Sequence, residues 1–480
     1  MRKESLLAFK WNVADLIITQ AITFVFNILL IRLLSPTEFG YFAIPFLLFS
    51  LIRLIQDLDF SVLIVQDQEI NERDISAIFW VLVCIGLLGS ILCGGASIIL
   101  SRVYIDSPWP MLIGFMACTV FAASFYYVPE ARLRKALDFK KLFFINLAAT
   151  SLSGIVGLIA AKFYPNLALA IKYVIYIICL SAAAWIACAW KPMKIWNPSV
   201  IKKYQSFTIP LIKNQLADFA SRNLDTLLVG KFMGTLSLGI YDRAYKILLF
   251  PITQVAMAFT KVSLPTLSKI QHEPQRIVDS YLLISRLIAL LVFPMMLGLL
   301  AISDIFVPTI FGQQWMSMVP LLNVFCVISI LFAINAISPG IFISKGKTSE
   351  LYQMNLITNC ILIFSMIGAI FYSTDIVKFT YVYGCAAIIC FAINQWFTSR
   401  ILEISALRVG INFLPMLLIA CIMMIAILAS KPMLLAHFSP IVALCLCILT
   451  GGSLYFLLLK ISCNKSLNEA VTLYHEALNQ

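Results

Sequence analysis

The sequence predicts an all-α polytopic membrane protein of about 14 transmembrane helices, arranged as two pseudo-symmetric six-helix lobes plus two extra helices. Three observations lead there. Of 480 residues, 61% are hydrophobic and only 12% charged, about half the charged share of an ordinary soluble domain. Many apolar runs exceed the ~20 residues needed to cross a bilayer's hydrocarbon core. Basic residues fall mainly in alternate connecting segments, as the positive-inside bias requires. The apolar runs are continuous rather than alternating, which excludes a β-barrel.

In chain order the expected spans cover residues 9–34, 41–66, 76–100, 108–128, 142–163, 167–190, 207–229, 237–263, 277–302, 316–338, 351–372, 379–398, 411–429 and 439–461. Turn signals part them, among them Ser35-Pro36, Ser107-Pro108, Tyr164-Pro165, Gly312 and Ser439-Pro440. With the N-terminus in the cytoplasm, 21 Lys and Arg fall in inner segments and six in outer ones. That places both termini inside and accounts for most of the net charge of +12, with no nucleic acid partner implied. The inner segments Arg132–Lys141 and Lys191–Tyr204 read as basic linkers, and Leu467–Leu478 as a short amphipathic helix or a frayed end.

Shifting the chain by 199 residues lays Gly40 on Gly239 and Arg32 on Lys231, and lays Asp15, Thr19 and Thr23 on Asn214, Asp218 and Arg222. Spans 1 and 7 start on the same side, so the repeat is parallel, with its axis along the membrane normal. The expected domains are residues 1–205 and 206–400 as lobes, 401–461 as two additional spans, and 462–480 as a cytoplasmic tail.

The stretch Lys213–Lys246 is the most charged part of this apolar chain. A charge at the centre of a membrane helix costs roughly 3 kcal/mol. Asp218, Arg222 and Asp225 must therefore face protein or water. With Asn214 they form one stripe on one helix face, the mark of an internal pathway. Lys213 and Asn223 flank the stripe. Arg53 and Asp57, spaced i, i+4, can pair on one helix face, either as a lumen-facing ion pair or a carboxylate that takes up a proton, or as an interfacial pair that fixes helix packing near the inner end of span 2. Asp242 and Lys246 repeat that spacing beside Arg243, Tyr241 and Tyr245, as a wet interface or as a mouth for an anionic sugar. Asn323, Asn335, Asn355, Asn359, Asn394 and Gln395 suit helix-to-helix hydrogen bonds.

Enzymatic patterns are missing: no GxSxG, Walker or HExxH sequence occurs, and no loop is large enough to hold catalytic groups. The three histidines do not cluster and the thirteen cysteines carry no CxxC, so no metal site is expected.

The run Asn223-Leu-Asp225-Thr-Leu-Leu-Val-Gly230-Lys231-Phe-Met-Gly234, followed by Leu238-Gly239-Ile-Tyr241-Asp-Arg-Ala244-Tyr245, resembles the central motif of bacterial polysaccharide exporters. Arg32-Leu-Leu-Ser-Pro36-Thr-Glu38-Phe-Gly40, then Asp57-Leu-Asp59-Phe-Ser61 and Val65-Gln66, resemble its N-terminal counterpart. Together they are similar to the colanic-acid-exporter-like branch of the multidrug/oligosaccharidyl-lipid/polysaccharide superfamily. Asp59 departs from the glycine expected there. The resemblance implies a multi-pass protein of the bacterial inner membrane that works by alternating access on an undecaprenyl-pyrophosphate-linked oligosaccharide, among membrane lipids. It implies a protein without a cofactor, coupled to protons or sodium with Asp57, Asp218 and Asp225 as the candidate sites, and a polysaccharide polymerase and chain-length regulator as partners. The alternatives are a small-molecule or drug antiporter of the same superfamily, disfavoured by Arg53 and Arg222, and a non-transporting scaffold or sugar polymerase. Candidate site residues are Arg222, Asp218, Asp225, Asn214, Asn223, Asp15, Arg53, Asp57, Lys213, Arg243 and Lys246.

Overall fold

A computed structural model describes residues 10–57, 60–67, 69–103, 107–256 and 273–462. Asp59, residues 257–263 of the eighth expected span, His272 and the Leu467–Leu478 segment lie outside the described residues. Helices account for nearly all of what is described, and it contains no strand.

Helix α1, Lys10–Leu33, includes a π-helical turn at Asp15–Thr19. Then follow α2 (Pro36–Asp57), α3 (Phe60–Gln66), α4 (Glu72–Val103), α5 (Trp109–Ser124), α6 (Tyr127–Lys135), α7 (Phe139–Phe163) and α8 (Pro165–Cys188). Helix α9, Ser199–Pro251, breaks at Gly234, whose φ of 82° only glycine adopts at no steric cost. The series continues with α10 (Pro274–Phe306), α11 (Val319–Asn335), α12 (Ser338–Ser344), α13 (Thr348–Tyr372), α14 (Ile376–Leu402), α15 (Ala406–His437) and α16 (Pro440–Ser462). Twelve helical stretches among the described residues are long and apolar enough to cross a membrane. They match expected spans 1–6 and 9–14, while spans 7 and 8 fall on the charge-rich α9. Large apolar side chains on these helices point outward, with Ile186 82% and Phe371 87% exposed, as a surface solvated by hydrocarbon requires.

Several helices are longer than their apolar cores. The presumed basic linker Arg132–Lys141 is instead the end of α6 and the first turn of α7, capped by Asp138, whose carboxylate accepts from the Lys141 N–H. Charged turns at helix ends leave the hydrocarbon but stay helical, and a hydropathy window clips them.

Both halves use the same element order. In the first, α4 and α5 are followed by the short α6 and the long pair α7 and α8; in the second, α10 and α11 are followed by the short α12 and the long pair α13 and α14. The medium-length helix stops short in each, at Phe125–Tyr126 and at Ala336–Ile337. Packing neighbours correspond too: α5 lies on α4 and α8, and α11 on α10 and α14.

The chain forms two compact units, Met1–Gly230 with Gly234–Gly239, and Lys231–Met233 with Ile240–Gln480. In the first, α1 and α8 approach α7 through its glycines: a Cβ at Gly154 would meet the Phe26 ring at 2.4 Å, and one at Gly157 the Lys172 stem at 2.9 Å. At the Glu72 end, Phe79, Trp80, Phe125, Trp185 and Trp190 make an aromatic cluster of edge-on rings. In the second unit α15 and α16 lie on α10. Arg286 donates to Asn412 Oδ1 at 2.8 and 3.1 Å, Asn412 to the Leu282 carbonyl, Tyr455 to the Leu290 carbonyl, and Lys431 pairs with Asp304 at 2.9 Å. Tyr281, Gln395 and Asn335 form a hydrogen-bonded chain across three helices, and Ser303 donates to Asn323, the interhelical bonding expected of those amides.

The tightest approach is between the start of α2 and the part of α9 beyond Gly234. A Cβ on Gly40 would lie 1.8 Å from the Thr235 carbonyl oxygen, and one on Gly239 would lie 1.7 Å from the Pro36 carbonyl oxygen. Pro36 and Thr235, like Gly40 and Gly239, are 199 residues apart. The obstacle is backbone, which cannot swing aside as a side chain does. We expect Gly40→Ala and Gly239→Ala each to cost about 3 kcal/mol or more and to lower the melting temperature in detergent. Gly95→Ala, with nothing within 4 Å of the new methyl, is the control and should leave it unchanged or raised. Equal melting of all three variants would refute the contact.

Candidate functional site

The polar interior of the first unit is assembled from residues isolated in apolar helices. Asp15 sits on the π-turn of α1, a local widening that often marks function. Its carboxylate accepts from Thr19 Oγ1 at 2.8 Å and from Asn146 Nδ2 of α7 at 2.8 Å. About three turns further along α1, Asn27 Oδ1 accepts from Lys172 Nζ of α8 at 3.0 Å. The Lys172 stem reaches Asn27 across Gly157, where a larger residue would block it.

Arg53 of α2 lies among tyrosines. Its guanidinium is 6.0 Å from the Tyr127 ring centroid and also engages the hydroxyl groups of Tyr127 and Tyr173. Tyr173 stacks edge-on against Phe46 and Phe49 and neighbours Tyr176. The Arg53–Asp57 pair that the spacing allows is not present among the described residues. The Asp57 carboxylate accepts instead from Ser61 Oγ at 2.6 Å and the Ser61 N–H at 3.4 Å, and Arg53 turns to the tyrosines. Spacing of i, i+4 permits a pair but does not compel it when aromatic and hydroxyl partners are nearer. Glu130, only 7% exposed, pairs with Arg134 and feels both Arg53 and Asp57. Two cations, three carboxylates and three tyrosines thus share one interior. Phosphate oxygens suit the cations, and sugar hydroxyls suit the tyrosines and carboxylates.

On α9, the side chains of Asn214, Asp218 and Arg222 lie outside the described residues, though their backbone is helical. Lys213 is exposed. Asp225 is 2% exposed and accepts from the Thr226 N–H at 2.7 Å. Asn223 donates to the Phe219 carbonyl of its own helix at 2.8 Å. In the second unit Asp242 pairs with Lys246 at 2.9 Å as expected, and Arg243 binds the same oxygen at 2.5 Å. Asp242 and Arg243 side chains are each 14% exposed, which is drier than a simple wet interface. Tyr241 and Tyr245 stack beside them at 5.8 Å. Among the described residues no group of three or more His, Cys, Asp or Glu could hold a metal ion.

The sequence reading missed Lys172, Glu130, Asn27 and Asn146. Lys172 left a signal, being the one charge in the 24-residue helix Pro165–Cys188. Glu130 was hidden among basic neighbours.

The chain matches the family described as "Polysaccharide biosynthesis protein" over residues 29–320. It belongs to that family. It is 25% identical over 360 residues to the teichuronic acid biosynthesis protein TuaB of Bacillus subtilis, covering 74% of each chain. It is 23% identical to the lipopolysaccharide biosynthesis protein WzxC of Escherichia coli, over 74% of this chain and 73% of that one. Its fold matches the lipid II flippase MurJ in an inward closed conformation, with a TM-score of 0.72 at 14% identity over 96% of this chain and all of that one. An inward-facing multidrug resistance MATE family transporter matches with a TM-score of 0.57 at 16% identity, over 80% and 96%. The chain is thus a multi-pass membrane protein of the polysaccharide exporter and flippase branch of the superfamily expected from its motifs.

The segment joining α8 to α9 is fastened to the first unit. Trp80 Nε1 donates to the Met193 carbonyl at 2.8 Å, and the Met193 N–H donates to Ser76 at 3.1 Å. Glu72 holds both Arg132 and Trp190, and Asp74 pairs with Lys203 and accepts from Tyr204 at 3.1 Å. We expect Trp80→Phe combined with Asp74→Asn to speed limited proteolysis between residues 189 and 198 severalfold. An unchanged cleavage rate would show that these bonds do not hold the segment.

Proposed function

We propose that this protein flips an undecaprenyl-pyrophosphate-linked oligosaccharide repeat unit from the cytoplasmic to the periplasmic leaflet of a bacterial inner membrane by alternating access. The flipped unit then serves assembly of an O-antigen, capsule or exopolysaccharide. The lobes in this proposal are residues 1–205 and 206–400, with 401–461 added and both termini cytoplasmic. A polysaccharide polymerase and a chain-length regulator are its expected partners.

The observation that carries the proposal is the interior of the first unit, where Arg53 and Lys172 sit inside membrane helices among tyrosines and carboxylates. A pyrophosphate and a sugar cannot cross hydrocarbon unaided, because their charges and hydroxyls would lose water without replacement. Fixed cations and hydroxyl groups replace that hydration while the lipid tail stays in the bilayer. Names of relatives in teichuronic acid and lipopolysaccharide biosynthesis, and the likeness in fold to a lipid II flippase, support the same direction. Arg222 remains a candidate second anchor. With no ATP-binding sequence in the chain, the drive is an ion gradient or the cargo gradient, and Asp15, Asp57, Asp218 and Asp225 are the candidate proton or sodium sites.

A charge-assisted hydrogen bond contributes about 1.5–3 kcal/mol, so Arg53→Ala or Lys172→Ala should cut flipping about tenfold or more at normal protein level. Lipid-linked repeat units would accumulate and surface polysaccharide would fall. Arg222→Ala should act in the same direction. Intact polysaccharide output with altered drug sensitivity would instead support the antiporter alternative. Asp15→Asn should weaken any dependence of flipping on a pH gradient in vesicles, and an unaltered dependence removes Asp15 from coupling.

A further inference from the structure

A groove of about 450 Å³ opens on the first unit where the start of α7 meets the end of α8. It exists because the facing residues are small: Ala148 on α7 and Ala183 and Ala187 on α8 leave space that larger side chains would fill. Lys140 and Lys141 stand at its mouth with Asp138. Asp138 pairs with Lys141 at 2.8 Å, so the mouth is net positive by one charge. Lys140 lies 5.8 Å from the Trp11 ring centroid, which helps fix its ammonium at the rim.

The groove continues into an exposed apolar stripe. Phe144 and Ala148 on its wall are followed along α7 by Leu152, Ile155 and Ile159, all outward-facing and spaced by three or four residues. They form one face of the helix. Half a bilayer's hydrocarbon core is about 15 Å, which ten residues of helix span at about 1.5 Å each. Counted from Lys141, the stripe therefore reaches mid-membrane near Leu152, the depth of one leaflet, and continues past it through Ile155 and Ile159.

We propose that this groove is a binding site for an anionic glycerophospholipid. Its phosphate lies between Lys140 and Lys141, and an acyl chain lies over Ala148, Ala183 and Ala187 and along the stripe. The single excess positive charge matches one phosphodiester, whereas a polyprenyl pyrophosphate brings more negative charge than the mouth balances. The site is separate from Arg53 and Lys172, which face the interior of the unit.

The test is native mass spectrometry of the detergent-purified full chain given phosphatidylglycerol or phosphatidylcholine at equal concentration. Phosphatidylglycerol should be retained about tenfold more. The Lys140→Gln, Lys141→Gln double variant should fall to the phosphatidylcholine level. Ala148→Leu, at an exposed position that tolerates bulk, should lower retention with both lysines intact. Lys162→Gln, at the opposite end of α7, should change nothing. Equal retention of the two lipids, or full phosphatidylglycerol retention by the double lysine variant or by Ala148→Leu, would overturn the proposal. So would preferential occupation by undecaprenyl phosphate. Melting temperatures close to that of the parent show that the variants are folded, which their exposed positions predict.

Discussion

An ion in hydrocarbon must be given partners before the fold can be stable, and that requirement shapes every polar contact inside this protein. A lone charge at mid-membrane costs roughly 3 kcal/mol, a sizeable part of a domain's net stability. Each described intramembrane ion meets the requirement locally. Lys172 has Asn27, Arg53 has Tyr127 and Tyr173, and Asp15 has Thr19 and Asn146. In the second unit Arg286 has Asn412 and Lys431 has Asp304. The two sets do different work. Arg286 and Lys431 join α10 to α15 and tie the added helices down. Arg53 and Lys172 lie among the tyrosines and amides of the first unit's interior.

The same physics explains where the compact units part. The connection after α8 is pinned by Glu72, Ser76, Trp80 and Asp74, so the beginning of α9 stays with the first unit. The change of unit comes only around Gly234, where the helix breaks at a positive φ. A clamp of two indole N–H groups and two carboxylates thus holds the approach to α9 against the first unit.

Much of the fold was legible because lipid imposes a long, monotonous signal. Twelve of the expected spans match helices to within a few residues at most ends, and the broad repeat showed in Gly40 and Gly239 among other paired positions. Helix ends were less legible, since Arg132–Lys135 is charged yet helical. The site was read only in part. Asp15, Arg53 and Asp57 were found as charges in apolar runs. Their remote partners, Asn146, Tyr127 and Tyr173, were not, because these lie on α6, α7 and α8, far away in sequence. Lys172 is the single charge of its helix and belongs to no polar stripe, yet one long side chain can cross a neighbouring helix over Gly157. No Arg53–Asp57 ion pair is present among the described residues, because Ser61, itself four residues from Asp57, takes the carboxylate, and Tyr127, remote in sequence, draws the guanidinium.

The contact between the start of α2 and the end of the Gly234 break has a further meaning. Gly40 meets the carbonyl of Thr235 and Gly239 meets the carbonyl of Pro36, so position i touches j′ while i′ touches j. That is the rule of an isologous interface, the kind two identical subunits make across a dyad, here written within a single polypeptide. One surface is its own complement. Each glycine is held to its small size by a backbone carbonyl of the other segment, so the same constraint acts twice although 199 residues separate the two positions.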